Sequence, residues 1–358
     1  MKLVANIQLL PTPEQAHALR ETLARCNAAC NWISEQAWQT RTFRQFALQK
    51  LTYHTVKERF GLTAQVVVRS VAKVADAYKL DRRTRRTFRT YAGQPYDDRI
   101  FRFRGDTTVS LWTVMGRETI AYVCGDYQRQ LLKSRKGEVD LLFIRGKWYV
   151  SCVCDVEEPE VIKVADVLGI DLGIVNLAVA STGTTYSGAQ GELQRRRFAP
   201  RRGNVHRKPP RSATRKLRTI RGRQARFQAN TNHRISKAIV ADAERFSAAI
   251  ALENLRGIRT RVKANRHQRA RLANWGFGQL QAFIAYKAQR QGLPMIFVDP
   301  RYTSQTCPAC RHIAKANRPT REQFQCVCCG LVGPADHIAA LNIAFKARAD
   351  VMQPMVSN

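Results

Sequence analysis

Two stretches of the chain have the apolar pattern of buried strands, and each contains a single carboxylate. Val161–Ser181 is apolar over most of its length, as expected for a strand covered on both faces, and Asp171 lies within it between two glycines. These glycines would let the backbone bend or let another element approach closely. Phe246–Leu255 is a second such strand, with Glu253 near its C-terminal end. An ionised carboxylate in apolar surroundings is costly unless it is paired or binds a metal ion, although capping of a turn explains Asp171 equally well.

The N-terminal part of the chain is predicted to be a β structure that helices interrupt after its first strand. Met1–Leu10 has the pattern of this first strand. Short β-rich runs separated by turn signals resume between Ile100 and Val156. Within them, Val139–Ile144 and Trp148–Val153 are predicted to form a hairpin. The pattern therefore predicts a small sheet or barrel with an insertion.

The inserted segment has three helical patterns. Thr12 is a suitable N-cap for the first helix, with Pro13 at the first helical position and Gln15 completing a capping box. The other two patterns cover Thr42–Phe60 and Thr63–Leu80.

In the C-terminal part, strand patterns alternate with helical ones, which predicts an α/β sheet. Asn274–Gln291 is an amphipathic helix, and Pro294–Val298 is a short strand. A last helix is expected to begin near Asp336. Its residues expected to face inward are Ile338, Leu341 and Phe345.

The charge of the chain indicates a polyanionic partner. Its 358 residues, enough for two or three domains, include 60 Lys or Arg against 27 Asp or Glu, a net charge of +33. Nucleic acid is the first candidate partner, and a membrane surface is the second. No signal-peptide pattern and no apolar run of roughly 18 residues is present, so we expect no membrane partner and a cytoplasmic location. The basic run Arg82–Arg89 fits a solvated helix face and a phosphate contact equally well.

The most basic segment is Arg195–Val240, which contains 16 Lys or Arg residues and no acidic residue. Pro200, Pro209 and Pro210 predict a loop or disorder in its first half, whereas the chain from Ser212 onward can form a helix. Uncompensated cations repel one another, which favours nucleic-acid binding over a solvated coil. The candidate nucleic-acid-binding residues are Arg195, Arg196, Arg197, Arg201, Arg202, Arg207, Lys208, Arg211, Arg215, Lys216, Arg218, Arg221, Arg223 and Arg226.

Four of the ten cysteines have the spacing of a zinc ribbon. Two CxxC pairs, Cys307/Cys310 and Cys326/Cys329, are separated by 15 residues, and four thiolates in tetrahedral array are a common zinc site. Cys328 breaks the CxxC spacing and is expected to be a bystander. The remaining cysteines that the pattern places on apolar faces are interpreted as core thiols, namely Cys26, Cys30, Cys152 and Cys154.

The order of these motifs resembles a split RuvC-like nuclease domain. Gly-Ile-Asp171-Leu-Gly, Leu-Glu253-Asn-Leu, the CxxC ribbon and Ala-Asp336 follow one another as in the TnpB (OrfB) family of insertion sequences, relatives of the type V CRISPR effectors. Ile338 and Pro334 depart from the family pattern, which usually has Asn and often has an acid at these positions. Further segments similar to the family are Asn232–Ser236, Trp275–Leu280, Tyr286–Lys287 and Arg301–Ser304.

This resemblance implies a multidomain α+β fold. A wedge-like β-barrel would comprise residues 1–10 and 95–160, with a helical recognition insertion at 11–94. An RNase H-like (RuvC) α/β nuclease domain would comprise 161–300 and 334–350. A zinc ribbon would be inserted at 301–333, and 351–358 would be a tail.

The resemblance also implies the activity and its cofactors. Asp171, Glu253 and Asp336 would be catalytic and would hold two Mg²⁺ ions, and one structural Zn²⁺ would bind the four ribbon cysteines. A guide RNA from the transposon end would direct cleavage of double-stranded DNA beside a short fixed motif, by a protein expected to act as a monomer. The alternatives are an RNA-guided DNA-binding regulator that does not cut, and an RNA-independent structure-specific nuclease.

Overall fold

A computed structural model describes residues 1–207, 212–255 and 276–352, and the side chains of these residues up to position 349. The chain divides into two compact units, Met1–Glu157 and a second that begins at Glu158. No helix within the described residues is both long and apolar enough to cross a membrane. The predicted tail, 351–358, lies almost wholly outside the described part.

The first unit contains a seven-stranded antiparallel sheet. Its strands are β1 (Lys2–Leu10), β2 (Gln94–Tyr96), β3 (Phe101–Arg104), β4 (Thr108–Thr113), β5 (Gly116–Val123), β6 (Arg135–Ile144) and β7 (Lys147–Asp155). The order is β2-β6-β7-β1-β5-β4-β3, so the first strand pairs with two strands that follow the helices. The predicted interruption after β1 and the predicted β6–β7 hairpin are both confirmed.

Three helices follow β1, and they begin close to the predicted positions. They are α1 (Pro13–Gln39), α2 (Gln45–Phe60) and α3 (Ala64–Leu80), and a short helix, α4 (Asp126–Leu132), lies between β5 and β6. Thr12 and Gln15 form the predicted capping box. Cys26 and Cys30 are fully buried in the core, as predicted. The solvated-helix interpretation of Arg82–Arg89 is wrong, because the chain leaves the helix at Leu80 and the segment is irregular.

The second unit contains a five-stranded mixed sheet. Its strands are β8 (Asp166–Asp171), β9 (Asn176–Ala180), β10 (Thr185–Ser187), β11 (Ala248–Glu253) and β12 (Met295–Val298), in the order β10-β9-β8-β11-β12. The first three strands pair antiparallel, whereas β8, β11 and β12 are parallel. The single strand predicted for Val161–Ser181 is wrong: the run folds into β8 and β9, because Gly173 permits a turn whose Asn176 carbonyl would lie 2.5 Å from an added Cβ.

Helices cover both faces of this sheet. They are α5 (Ala189–Arg207), α6 (Ala213–Arg245), α7 (Phe277–Arg290) and α8 (Ala335–Met352). One apolar cluster joins a sheet face to α6 and α7, and a second joins the opposite face to α8. The α/β architecture predicted from alternating patterns is therefore confirmed for the described residues.

The loop or disorder predicted around Pro200 is wrong, because this proline lies within helix α5. The helix continues through this proline to Arg207, although proline removes one main-chain donor. Phe198 is buried, and Glu192 pairs with Arg195 and Arg196 one turn along the helix. Such packing and i,i+3 and i,i+4 pairs favour the helix over the local propensity. Pro209 and Pro210 lie outside the described residues.

The cysteine-rich segment between β12 and α8 is small and irregular. It contains a 3₁₀ turn at Lys315–Asn317 and a two-stranded sheet of β13 (Gln323–Gln325) and β14 (Val332–Pro334). Phe324 and Ile338 pack with two of the cysteines in its core. Phe345 was predicted to face inward, but its side chain is 49% exposed and stacks under the Arg311 guanidinium at 3.3 Å.

Helix α8 approaches the second sheet closely at Gly169 in β8. A Cβ built there would lie 2.1 Å from the main-chain oxygen of Ala340 and 2.5 Å from the main-chain nitrogen of Ala344, both in α8. Real Cβ atoms do not approach other atoms so closely, so a side chain here would force α8 away from β8. The predicted close approach at a flanking glycine is thus confirmed for Gly169.

We expect Gly169→Ala to lower the free energy of unfolding by about 1–3 kcal/mol, because it overpacks the contact between β8 and α8. Gly278→Ala is the matched control, since Gly278 lies in α7 with open space around it and should gain up to about 1 kcal/mol of helix stability. Urea unfolding of both variants followed by circular dichroism measures the difference. Equal stability of the two variants would contradict the close packing.

Candidate metal centres

The two strand carboxylates end neighbouring parallel strands on the same face of the sheet. Asp171 is the last residue of β8 and Glu253 is the last residue of β11, and the register places Ile170 opposite Leu252. Side chains alternate between faces along a strand. Val167 and Ala251, which share parity with the two acids, lie in the cluster under α8. Asp171 and Glu253 therefore lie side by side at one edge of the sheet, on the face that α8 covers.

The third carboxylate reaches this edge from α8. Asp336 lies in the first turn of α8, four residues before Ala340, which contacts β8 at Gly169. Residues four apart share a helix face, so Asp336 also points towards β8. Asn176 donates a hydrogen bond from Nδ2 to Asp336 Oδ2 at 3.0 Å. The structure thus brings together Asp171, Glu253 and Asp336, which the sequence singled out.

The three acids interact electrostatically at this edge. Burial, followed by the negative charges of Glu253 and Asp336, raises the pKa of Asp171 to about 7. Burial also raises the pKa of Glu253, whereas a hydrogen bond from Thr303 lowers it. Carboxylates that are buried beside one another resist ionisation unless cations compensate them. The cluster is therefore a site where a bound cation would be stabilised.

Three contacts at this edge were not predicted from the sequence. Arg318, from the cysteine-rich segment, places Nη2 3.6 Å from Asp336 Oδ1 and lowers the pKa values of Asp171 and Glu253 through its charge. Thr303 donates a hydrogen bond from Oγ1 to Glu253 Oε1 at 2.5 Å. Asn176 was missed because it lies in an apolar run. No spacing rule in the sequence singles out these residues; Thr303 alone lies in a segment that resembles the family.

Hard carboxylate oxygens at this edge match the ligand preference of Mg²⁺ and similar ions. Three acids from two strand ends and a helix start could hold such ions from different sides. Arg318 adds a fixed positive charge that can approach an anionic substrate at the same place. The arrangement is suited to phosphate chemistry, in which cations offset the charge of the reacting group.

The four cysteines of the two CxxC pairs converge at a second candidate centre. Cys307, Cys310, Cys326 and Cys329 have sulfur atoms that all lie within 4.8 Å of one another. Cys307 Sγ lies 3.6 Å from Cys329 Sγ, and Cys310 Sγ lies 3.5 Å from Cys326 Sγ. A hydrogen bond from the main chain of Cys329 lowers the pKa of Cys326 to about 6, which favours the thiolate form. Four sulfurs so placed could bind one metal ion in tetrahedral geometry.

Cys328 is exposed and does not belong to this group of four sulfurs. Metal analysis of the purified protein should find one ion bound per chain at the cysteine cluster. Cys326→Ser is expected to abolish most of this binding because a tetrahedral site loses a ligand, whereas Cys328→Ser should retain it. Equal loss of the ion in the two variants would contradict the assignment of the four ligands.

The predicted basic residues lie on α5 and α6. Arg215 to Arg226 present six exposed cations, and within the described ranges none of the six pairs with an acid. On α5, Glu192 offsets Arg195 and Arg196. The other predicted α5 residues, Arg197, Arg201, Arg202 and Arg207, are exposed or partly exposed. Lys208 and Arg211 lie outside the described residues.

The raised pKa of Asp171 predicts how stability depends on pH before a divalent cation is added. A raised pKa in the folded state contributes stability that is present at low pH and is lost as pH rises through about 7. We expect wild-type protein to lose stability between pH 5 and pH 8 relative to Asp171→Asn, measured by thermal unfolding in Mg²⁺-free buffer. Asp166→Asn is the control, because it removes an acid at the other end of β8 whose pKa is lowered. This variant should lose stability between pH 5 and pH 8 as the wild type does. Parallel pH profiles for wild type and Asp171→Asn would contradict the buried acid cluster.

Comparison with family models matches residues 277–343 to the Cas12f1-like TNB domain. This range contains α7, β12, the cysteine-rich segment and the start of α8. It therefore includes the four cysteines and Asp336.

Several curated proteins are similar to larger parts of the chain. A Cas12f1 CRISPR-associated endodeoxyribonuclease of Sulfoacidibacillus thermotolerans is 33% identical over 222 residues, which is 56% of this chain and 50% of that protein. A TnpB-like protein of Methanocaldococcus jannaschii is 27% identical, over 70% of this chain and 94% of that protein. InsQ of Escherichia coli, named a putative RNA-guided DNA endonuclease, is 27% identical over 57% of this chain and 55% of that protein.

The chain thus spans about half the length of some of the relatives that it matches. Among solved structures, a Cas12f1–sgRNA–target DNA complex aligns with 96% of this chain and 99% of that chain at 15% identity, with a TM-score of 0.41. The matched family model and these curated relatives support the resemblance of the chain to the TnpB (OrfB) family.

Proposed function

We propose that this protein is an RNA-guided, Mg²⁺-dependent endonuclease that cleaves double-stranded DNA beside a short target-adjacent motif. The observation that carries the proposal is the convergence of Asp171, Glu253 and Asp336 at one edge of the second sheet. Relatives named as RNA-guided or CRISPR-associated DNA endonucleases support the same reaction.

The fold assignment is part of the proposal. The order β10-β9-β8-β11-β12, with two antiparallel and then two parallel neighbouring pairs, supports an RNase H-like (RuvC) domain at 161–300 and 334–350. Residues 1–10 and 95–160, nearly all of which belong to the first unit, would form a wedge-like barrel with a recognition insertion at 11–94. Strands β2 and β3 are the two ends of this sheet, and a closed barrel would bring these two ends together.

The three acids would hold the metal ions. When bound, two Mg²⁺ ions would supply an activated water and offset the charge on the leaving oxygen. Asp171, Glu253 and Asp336 would together hold these ions. Asn176 orients Asp336 through its amide, and Arg318 would attract the scissile phosphate to this edge.

The exposed cations of α5 and α6 would bind nucleic-acid backbone. Contacts of Lys and Arg with phosphates give affinity with little base preference, so a separate element must supply sequence choice. In this proposal a guide RNA from the transposon end supplies it by base pairing with the target. The cysteine cluster would bind one structural Zn²⁺ and keep Arg318 in place beside Asp336.

We expect Asp171→Ala, Glu253→Ala and Asp336→Ala each to lower cleavage by at least about 100-fold, because a lost metal ligand removes several kcal/mol of transition-state stabilisation. Binding of RNA and of target DNA should change little. Asp166→Ala is the matched control, since it removes an exposed acid from the opposite end of β8. The assay follows a labelled duplex with the guide RNA and Mg²⁺.

The same assay separates the alternatives. Wild-type protein that binds the matched duplex without cutting it would favour the regulator. Selective cutting of a matched duplex by protein stripped of RNA would favour the structure-specific nuclease. The proposal requires cutting that depends on Mg²⁺, on the guide RNA and on a matching target.

A further inference from the structure

Thr303 is a buried hydroxyl directly beside Glu253. Thr303 is 2% exposed. Its Oγ1 lies 2.5 Å from Glu253 Oε1 and 3.0 Å from the main-chain oxygen of Pro300. The carboxylate and the Pro300 carbonyl are both acceptors, and the charge and the shorter distance of Glu253 direct the single hydroxyl proton of Thr303 to this acid when it is ionised. Such charge-assisted bonds are short and strong. Thr303 therefore fixes one of the two Glu253 oxygens.

The turn that carries Thr303 is held by α8. Asn342 is 2% exposed, and its Nδ2 donates to the main-chain oxygens of Thr303 at 2.8 Å and Thr306 at 2.7 Å. The Asn342 Oδ1 is buried with no hydrogen-bond partner in the described structure. A buried acceptor without a partner is unfavourable, so Asn342 stabilises the turn through its two donated hydrogen bonds.

The same turn leads directly into the cysteine cluster. Tyr302 has a left-handed φ of 63°, and its main-chain oxygen accepts from the nitrogens of Gln305 and Thr306. Cys307 follows at once, and its main chain is bonded to His312 and Arg311. The turn is thus anchored at one end by the cysteine cluster and along its length by Asn342.

Helix α8 consequently helps to position two of the three acids, Asp336 and Glu253. It carries Asp336 in its first turn, and six residues later it holds the Thr303 turn through Asn342. Glu253 lies on strand β11 and not on α8. Its carboxylate needs a hydrogen-bond donor from another element to keep one orientation. The contacts join the positions of Asp336 and Glu253 through one rigid helix.

We propose that Thr303, held by Asn342, is a positioning residue that keeps Glu253 oriented for binding a divalent cation. This role rests on the proposed function, because it assumes that Glu253 is a metal ligand. Hydrogen-bond partners that orient metal ligands typically change metal affinity or activity by about 10- to 100-fold when they are removed.

The test compares Thr303→Val with Thr303→Ser in the full-length protein. Valine keeps the shape but removes the donor, whereas serine keeps the donor. Thr306→Val is the matched control, because the Thr306 hydroxyl on the same turn donates only to Tyr302 within the described structure. Mn²⁺ affinity is measured by electron paramagnetic resonance, and the cysteine-bound metal and the thermal midpoint are measured alongside.

We expect Thr303→Val to weaken Mn²⁺ binding by about 10-fold or more, and Thr303→Ser and Thr306→Val to bind as wild type does. The concentration of Mg²⁺ needed for half-maximal cleavage should rise in parallel for Thr303→Val alone. Cysteine-bound metal should remain unchanged in all three variants, which separates positioning from a damaged ribbon.

Wild-type Mn²⁺ affinity in Thr303→Val, with Asp171→Ala impaired, would overturn the positioning role and leave the proposed function intact. Equal weakening by Thr306→Val or Thr303→Ser would also overturn it, because the effect would then not follow the donor. Mn²⁺ binding by wild type that is insensitive to Asp171→Ala would overturn both the metal site and the role built on it.

Discussion

The close packing of α8 on β8 is the contact on which the candidate site depends. Gly169 leaves room for the main chain of Ala340 and Ala344, and the helix can lie against the strand only because no side chain intervenes. Asp336 shares the helix face of these alanines and so reaches the strand ends. A contact of small residues in one layer of the fold thus brings a carboxylate from a distant part of the sequence to Asp171 and Glu253.

The buried acids are electrostatically unfavourable to one another. Burial and neighbouring negative charge raise the pKa of Asp171 to about 7, so the cluster resists full ionisation by itself. Arg318 offsets part of the charge, and a divalent cation would offset more. The cysteine-rich segment supplies both Arg318 and Thr303, the donor to Glu253. The cysteine-rich segment therefore helps to position the acid cluster, although it contributes no strand to the five-stranded sheet.

Much of the fold could be predicted from the sequence where one local pattern dominates. The capping box at Thr12, the β6–β7 hairpin and the convergence of the CxxC cysteines each follow from short-range spacing. The prediction failed where a contact distant in sequence or a turn overrides the pattern, as in the β8–β9 hairpin and in α5 across Pro200. The strand acids were visible as lone charges in apolar runs, but Arg318 and Asn176 carry no such signal, because only the folded chain brings them to Asp336.

The central claim is that the three acids form one site for divalent cations, and a crystal structure of the protein grown with Mn²⁺ tests it most directly. The account predicts anomalous-scattering peaks between Asp171, Glu253 and Asp336, with Thr303 still bonded to Glu253. These peaks should be absent from crystals of Asp171→Ala. Fully occupied Mn²⁺ elsewhere with an empty acid cluster, or unchanged peaks in Asp171→Ala, would contradict it.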